Sequence, residues 1–194
     1  DGPVATISYY VHWQLMQAVA AGGYRVSVSG TAADELFSGY YDHQLLYLGE
    51  VDNPEARAAW ERHVLPITRN PMLQDADRFR NDPGFRDHIY LDAPRFASYL
   101  TQPFAEQFTE STLDPRLLRN RMLNELFHEA VPVILREDDL NAMAFSIENR
   151  SPFLDRDLFE FTGSIPTRHL VRDGYAKAVL RAAMRGIAPD AVLD

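Results

Sequence analysis

Twelve residues, Ser29 to Tyr40 (SGTAADELFSGY), constrain this chain more than any other stretch. They follow a short alternating run, Tyr24-Arg25-Val26-Ser27-Val28, that reads as a strand. They then pass through small residues into a helix start carrying Asp34 and Glu35. A strand, a small-residue loop and a helix in that order belong to an open α/β unit, whose ligands bind beyond the carboxyl ends of the strands. Gly30, with the small side chains of Thr31, Ala32 and Ala33, allows close approach to the backbone. Two carboxylates in a first helical turn also suit the helix dipole, so spacing alone serves plain N-terminal capping equally well.

The rest of the chain reads as mostly helical. Ile7, Val11 and Leu15 recur at i+4 within residues 4–21, with Ala18 and Val19 extending that face and Gly22-Gly23 as the stop. The helix from Asp34 is expected to continue through Leu45, Leu46 and Leu48. Residues 50–115 hold seven of the twelve prolines, at 54, 66, 71, 83, 94, 103 and 115, so helices there should be short. The same stretch contains Trp60, Phe79, Phe85, Tyr90, Phe96, Tyr99, Phe104 and Phe108, which implies packing, and it reads as a folded helical insertion. Beyond Pro115, Leu118, Met122, Leu126 and Ala130 line one face up to a kink expected near Pro132. A helix over Asp139–Glu148, a break at Ser151–Asp155, a helix over Asp157–Thr162 and a closing helix over Tyr175–Arg185 complete the reading. There is no internal repeat.

Three segments, in order, resemble the asparagine synthetase family. Ser29–Tyr40 is similar to its SGxGxDExFGGY signature. Leu135–Asp155 (LREDDLNAMAFSIENRSPFLD) is similar to its LRxxDRxSMAxSxExRxPFLD segment, with Arg136, Asp139, Met143, Ala144, Ser146, Glu148, Arg150 and Pro152–Asp155 in register. Gly174-Tyr175-Ala176-Lys177 with Val179-Leu180-Arg181 resembles the lysine-bearing segment near that domain's end. The resemblance implies an α/β, predominantly helical fold: the C-terminal portion of an adenine-nucleotide-alpha-hydrolase-like (Rossmann-like) synthetase domain, with little sheet left. No SGGxDS-type pyrophosphate loop and no glutaminase domain occur within residues 1–194, so the isolated chain is expected to be inert.

What the resemblance implies chemically is an ATP-dependent amidotransferase of the glutamine-hydrolysing asparagine synthase type. A small carboxylate attacks the α-phosphate of ATP, and ammonia from an upstream glutaminase domain displaces AMP. Asp34 matches the family's Mg²⁺-binding aspartate, a hard oxygen ligand for a hard cation. Glu35 beside it is expected to be a helix-start or outer-sphere acid. Ser29, Gly30 and Thr31 match positions that contact nucleotide and activated acid. Lys177 matches the catalytic lysine, and it is the single lysine against eighteen arginines. A compact ammonium can do at a phosphate what a planar guanidinium cannot. By spacing alone, Lys177, Arg181 and Arg185 equally describe a solvated i+4 stripe.

Thr31 departs from the family, which commonly places an acid there. A hydroxyl can neither act as a base nor pair with a substrate ammonium, so formation of asparagine itself is the part of the resemblance it weakens. Two alternatives stay open: a glutamine-independent amide or lactam-forming ligase, and a non-catalytic paralogue that only binds. Glu148 and Arg150 read as a structural brace, and the six histidines show no metal-ligand spacing. His43 reads as a half-buried residue that could line a pocket.

Composition sets the remaining bounds. At 194 residues the chain can bury one real core. It has no cysteine, which excludes a disulfide framework and thiolate metal sites. No apolar run approaches the ~20 residues of a membrane span, and Asp1-Gly2-Pro3 is not a secretory leader. We therefore expect a cytoplasmic enzyme part with no membrane partner, as a monomer or an oligomer. A net charge of −9 argues against a nucleic-acid face. Any polyphosphate ligand must then meet local positive charge or a metal ion.

Overall fold

The computed structural model describes residues 7–85, 95, 97–102 and 110–193. In chain order the elements are α1 (Ile7–Ala21), β1 (Val26–Val28), α2 (Ala33–Phe37), α3 (His43–Glu50), α4 (Pro54–His63) and α5 (Arg78–Asn81). After these come α6 (Leu117–Phe127), α7 (Ala130–Met143), β2 (Glu148–Arg150), α8 (Arg156–Ser164), α9 (Ala178–Ala183) and α10 (Asp190–Leu193). The protein is thus mostly helical with a small parallel sheet, β1 beside β2. The chain divides into two compact units, Asp1–Leu36 with Leu123–Ser164, and Phe37–Met122 with Ile165–Asp194. Among the described residues, no helix is long and apolar enough to cross a membrane.

The first unit is built on the strand pair. Val26, Ser27 and Val28 stand in register with Glu148, Asn149 and Arg150. Helix α1 stops where expected: Gly23 takes φ +81 and the N–H groups of Gly22 and Tyr24 return to the carbonyls of Ala18 and Val19. Its buried face is not the one the i+4 spacing suggested. Met16 is buried against Ala142 and Ile147, with Val19, Ala20 and Phe145 packed around them, whereas Ile7, Val11 and Leu15 are exposed. The helix carries apolar residues on two faces, and the aromatic contact of Trp13 with Phe145, 5.0 Å between ring centroids, lies on the packed one.

Two further expectations need correcting here. Pro132 makes no kink, because it is the third residue of a new helix, where its missing N–H costs no intrahelical bond. Helix α6 ends first, its final turn closing as His128 and Glu129 both donate to the carbonyl of Asn124. Nor does a helix run over Asp139–Glu148. Helix α7 stops at Met143, Ser146 turns the chain at φ +57, and Glu148 donates to the carbonyl of Arg25 to begin β2. Ladder formation with β1 overrides local helical preference. The Ser151–Asp155 break holds as a short 3₁₀ turn over Pro152–Leu154, and the following helix spans Arg156–Ser164.

The second unit begins at Phe37, and the expected long helix from Asp34 through Leu48 is two helices. Ser38 adopts φ +69 after α2, and α3 begins afresh at His43. Leu45, Leu46, Trp60, Phe79, Leu118, Met122 and Leu170 are buried there, so the aligned Leu118, Met122 face is confirmed. Gly49 lets α3 cross α5 closely, since a Cβ built on it would stand 3.1 Å from the Phe79 Cβ. Helix α4 starts on Asn53, whose side-chain oxygen accepts from the N–H groups of Glu55 and Ala56, with Pro54 in its first turn. Phe79 packs edge-on against Phe85 while Tyr99 is exposed. Tyr90, Phe96, Phe104, Phe108, Pro94 and Pro103 lie outside the described residues. His43, expected half-buried, is wholly buried with Tyr40 edge-on to its ring.

The closing helix is shorter than Tyr175–Arg185. Asp173, Gly174 and Lys177 all take positive φ (+54, +82 and +55), and Arg172 pairs with Tyr175, so the chain turns before α9 starts at Ala178. Gly174 is required twice over. Its φ is left-handed, and a Cβ there would meet the Ala59 carbonyl oxygen and the His63 Cβ at 3.0 Å each.

Candidate active site

The parallel pairing of β1 with β2 brings the carboxyl ends of two motif segments together in the first unit. The ladder runs one step past the strands, with the Ser29 N–H donating to the Arg150 carbonyl at 2.8 Å. Beyond it, side chains continue the join. Ser29 Oγ lies 3.0 Å from Thr31 Oγ1 and 3.1 Å from Ser151 Oγ. Thr31 Oγ1 in turn donates to Asp138 Oδ2 at 3.2 Å, from one turn before the end of α7. The other oxygen of that carboxylate pairs with His12 Nδ1 at 3.1 Å, with the Asp138 and His12 side chains 15% and 24% exposed. Ser29 and Thr31 therefore meet, as the sequence suggested, while Gly30 is exposed between them and a Cβ there would touch nothing within 4 Å.

The loop is bent by residues that resist such bending. Ala32 takes φ +77 and Ser38 φ +69, at two of the four positions where the SGxGxDExFGGY signature has glycine, the other two being Gly30 and Gly39 here. Left-handed backbone costs a non-glycine residue about 1–2 kcal/mol, so this chain keeps the loop's path with side chains that oppose it. Asp34 sits half-buried in the first turn of α2, while Glu35 next to it is buried at 3% exposure. Of the two acids, Asp34 is the one accessible to a cation.

Lys177 belongs to the second unit. It is half-buried, immediately precedes α9, and its N–H donates to the Ser38 carbonyl at 3.1 Å. The last part of the Ser29–Tyr40 motif is thus the backbone anchor of the lysine-bearing segment. Arg181, one turn on, is occupied: its Nε donates to the Ala176 carbonyl at 3.0 Å and one Nη to the Leu193 carbonyl at 2.8 Å. A solvated Lys177–Arg181–Arg185 stripe is therefore not what forms. Lys177 lies outside the helix, and Arg181 is spent on fastening the C-terminal turn.

Sequence reading did not single out His12, Asp138 or Ser151. Asp138 stands beside the motif-matching Asp139, and its partners are 107 and 126 residues away, so nothing local marked it. The electrostatics around it are anionic. Burial first, then the Glu137 and Asp138 carboxylates, raise the Tyr9 phenol above its ordinary value. The Glu148–Arg150 pair bonds at 2.9 Å with both side chains exposed, as a surface brace would.

The asparagine synthase family profile matches residues 1–194, and the chain belongs to that family. It is 28% identical over 170 residues to the glutamine-hydrolysing asparagine synthetase 3 of Bacillus subtilis (strain 168), an alignment covering 87% of this chain and 25% of that protein. It is 26% identical over 208 residues to glutamine-hydrolysing asparagine synthetase 1 of the same organism, covering 99% of this chain and 32% of the relative. The chain thus spans about a quarter to a third of the length of these relatives. No solved structure matches it.

Proposed function

We propose that this chain is the C-terminal part of a Rossmann-like synthetase domain in an ATP-dependent ligase that adenylates a small carboxylate and passes ammonia, released from glutamine, to the activated acid. The observation that carries the reading is the parallel strand pair. It sets the Ser29–Thr31 loop and the Ser151 loop side by side at the carboxyl ends of β1 and β2, where open α/β sheets bind their ligands.

In this reading Ser29, Gly30 and Thr31 contact the nucleotide and activated acid, with Gly30 leaving room for close approach. Asp34, accessible at the start of α2, is the residue that would hold Mg²⁺. The ion supplies charge neutralisation at phosphate oxygens, and carboxylate oxygen is the ligand it prefers. Lys177 supplies a mobile positive charge of the kind phosphate oxygens attract. In a chain of net charge −9 such local charge is a requirement for triphosphate binding. Its left-handed backbone, fixed through Ser38, restricts where the ammonium can reach.

The test uses the protein as its gene encodes it. Acid-dependent pyrophosphate release from ATP is measured for the wild type, Lys177→Ala and Asp34→Asn. By analogy with deleted oxyanion donors, loss of Lys177 should cost about 3–4 kcal/mol, a fall of roughly 10²–10³-fold. Asp34→Asn should raise the Mg²⁺ requirement. Unchanged release in Lys177→Ala, with the fold intact by circular dichroism, removes the assigned role.

A further inference from the structure

We infer that Asp138, held by His12, is the proton acceptor of the amide-forming step, and that Thr31, Ser29 and Ser151 are the relay leading to it. The inference rests on the ligase reading above and adds to it a residue that no motif assigns. The direction of the relay follows from counting protons. Thr31 has one hydroxyl proton, committed to Asp138 Oδ2 at 3.2 Å. At the 3.0 Å contact between Thr31 and Ser29, the donor must therefore be Ser29. That commits the Ser29 proton in turn, so Ser151 is the donor at 3.1 Å. All three hydroxyls point toward one carboxylate. His12 Nδ1 reaches its second oxygen at 3.1 Å, which assigns the Nδ1–H tautomer or the imidazolium and holds the carboxylate plane in place.

The arrangement answers a chemical need left by Thr31. When an amine attacks the acyl carbon of an adenylated acid, the new C–N bond forms and the C–O bond to phosphate breaks. AMP leaves with that electron pair, and the nitrogen must lose one proton. A hydroxyl at residue 31 cannot keep that proton, but it can pass it on. The proton enters at Ser151, each hydroxyl hands its own to the next, and the Thr31 proton ends on Asp138. The carboxylate arrives from α7, across 107 residues of sequence, at the position where the loop itself offers only a hydroxyl.

The experiment separates two partial reactions in the protein as its gene encodes it. A panel of amino acids and small carboxylates is screened for acid-dependent ATP–pyrophosphate exchange. The acid giving the fastest exchange is then used with ammonium chloride, and amide formation is followed. Asp138→Asn should leave exchange within about twofold of wild type and lower amide formation by about 10²-fold or more, the range for a lost general base. Asp138→Glu should recover part of it. Loss of exchange and amide formation together in Asp138→Asn assigns the residue to structure and overturns the inference, as does unchanged amide formation. If no acid supports exchange in the wild type, the ligase reading itself fails and the relay falls with it.

Discussion

Arg121 is the residue whose removal should be felt most in the second unit. Its Nη1 lies 2.9 Å from Asp42 Oδ2 and its Nε 3.1 Å from Glu110 Oε1, and its side chain is 6% exposed. Asp42 is nearly as enclosed, at 10% for its side chain. Two unit charges about 3 Å apart attract by roughly 5–6 kcal/mol at an effective dielectric of about 20, but most of that offsets the desolvation of both groups. The net worth of the pair is therefore small, while the cost of breaking it is large. Arg121→Met leaves the Asp42 carboxylate buried without its partner, and should destabilise the fold by about 3–5 kcal/mol. The double variant Arg121→Met/Asp42→Leu removes both charges and should recover at least half of that loss. Urea unfolding followed by far-ultraviolet circular dichroism reads both numbers from the midpoints at constant slope. A cost below about 1 kcal/mol for Arg121→Met, or a double variant less stable than the single one, would show that the pair is not the brace described.

Two further outcomes follow from burial. The Glu50 carboxyl is pushed above its ordinary value, by burial foremost, against the lowering effect of the Leu118 N–H that donates to it at 2.6 Å. Its contribution to stability is then full below the ordinary carboxylate range and declines as pH rises through the raised value. Glu50→Gln should therefore gain stability relative to wild type between pH 4 and pH 7, and a difference that is flat across this range in parallel unfolding titrations would contradict it. On α1, Met16→Ala should cost about 2–4 kcal/mol of the first unit's stability, as buried truncations do, whereas Leu15→Ala should stay within about 0.5 kcal/mol. Equal costs would mean that the assigned packing face is wrong.

What the sequence made legible follows a physical division. Signals whose cause is local were read correctly: the glycine stop after Ala21 and the Leu118–Met122 stripe. Signals set by partners distant in sequence were not. The stretch Glu148–Arg150 carries two charges and an amide and follows directly on an expected helix over Asp139–Glu148, yet it is a strand because β1 stands next to it. Helix α1 shows two apolar faces, and periodicity cannot say which one meets Ala142 and Ile147. The same holds at the candidate site. Ser29 and Thr31 lie two positions apart in one loop, and their meeting was foreseeable. Asp138 and His12 join them only through the packing of α1 against α7. One overlooked signal was local after all. At two of the four glycine positions of the family signature this chain has Ala32 and Ser38, and both keep a left-handed backbone that glycine adopts without strain. A glycine in a signature records a backbone angle as much as a missing side chain. Read in that way, Ser38 already marks the break that separates α2 from α3, and with it the carbonyl on which Lys177 is anchored.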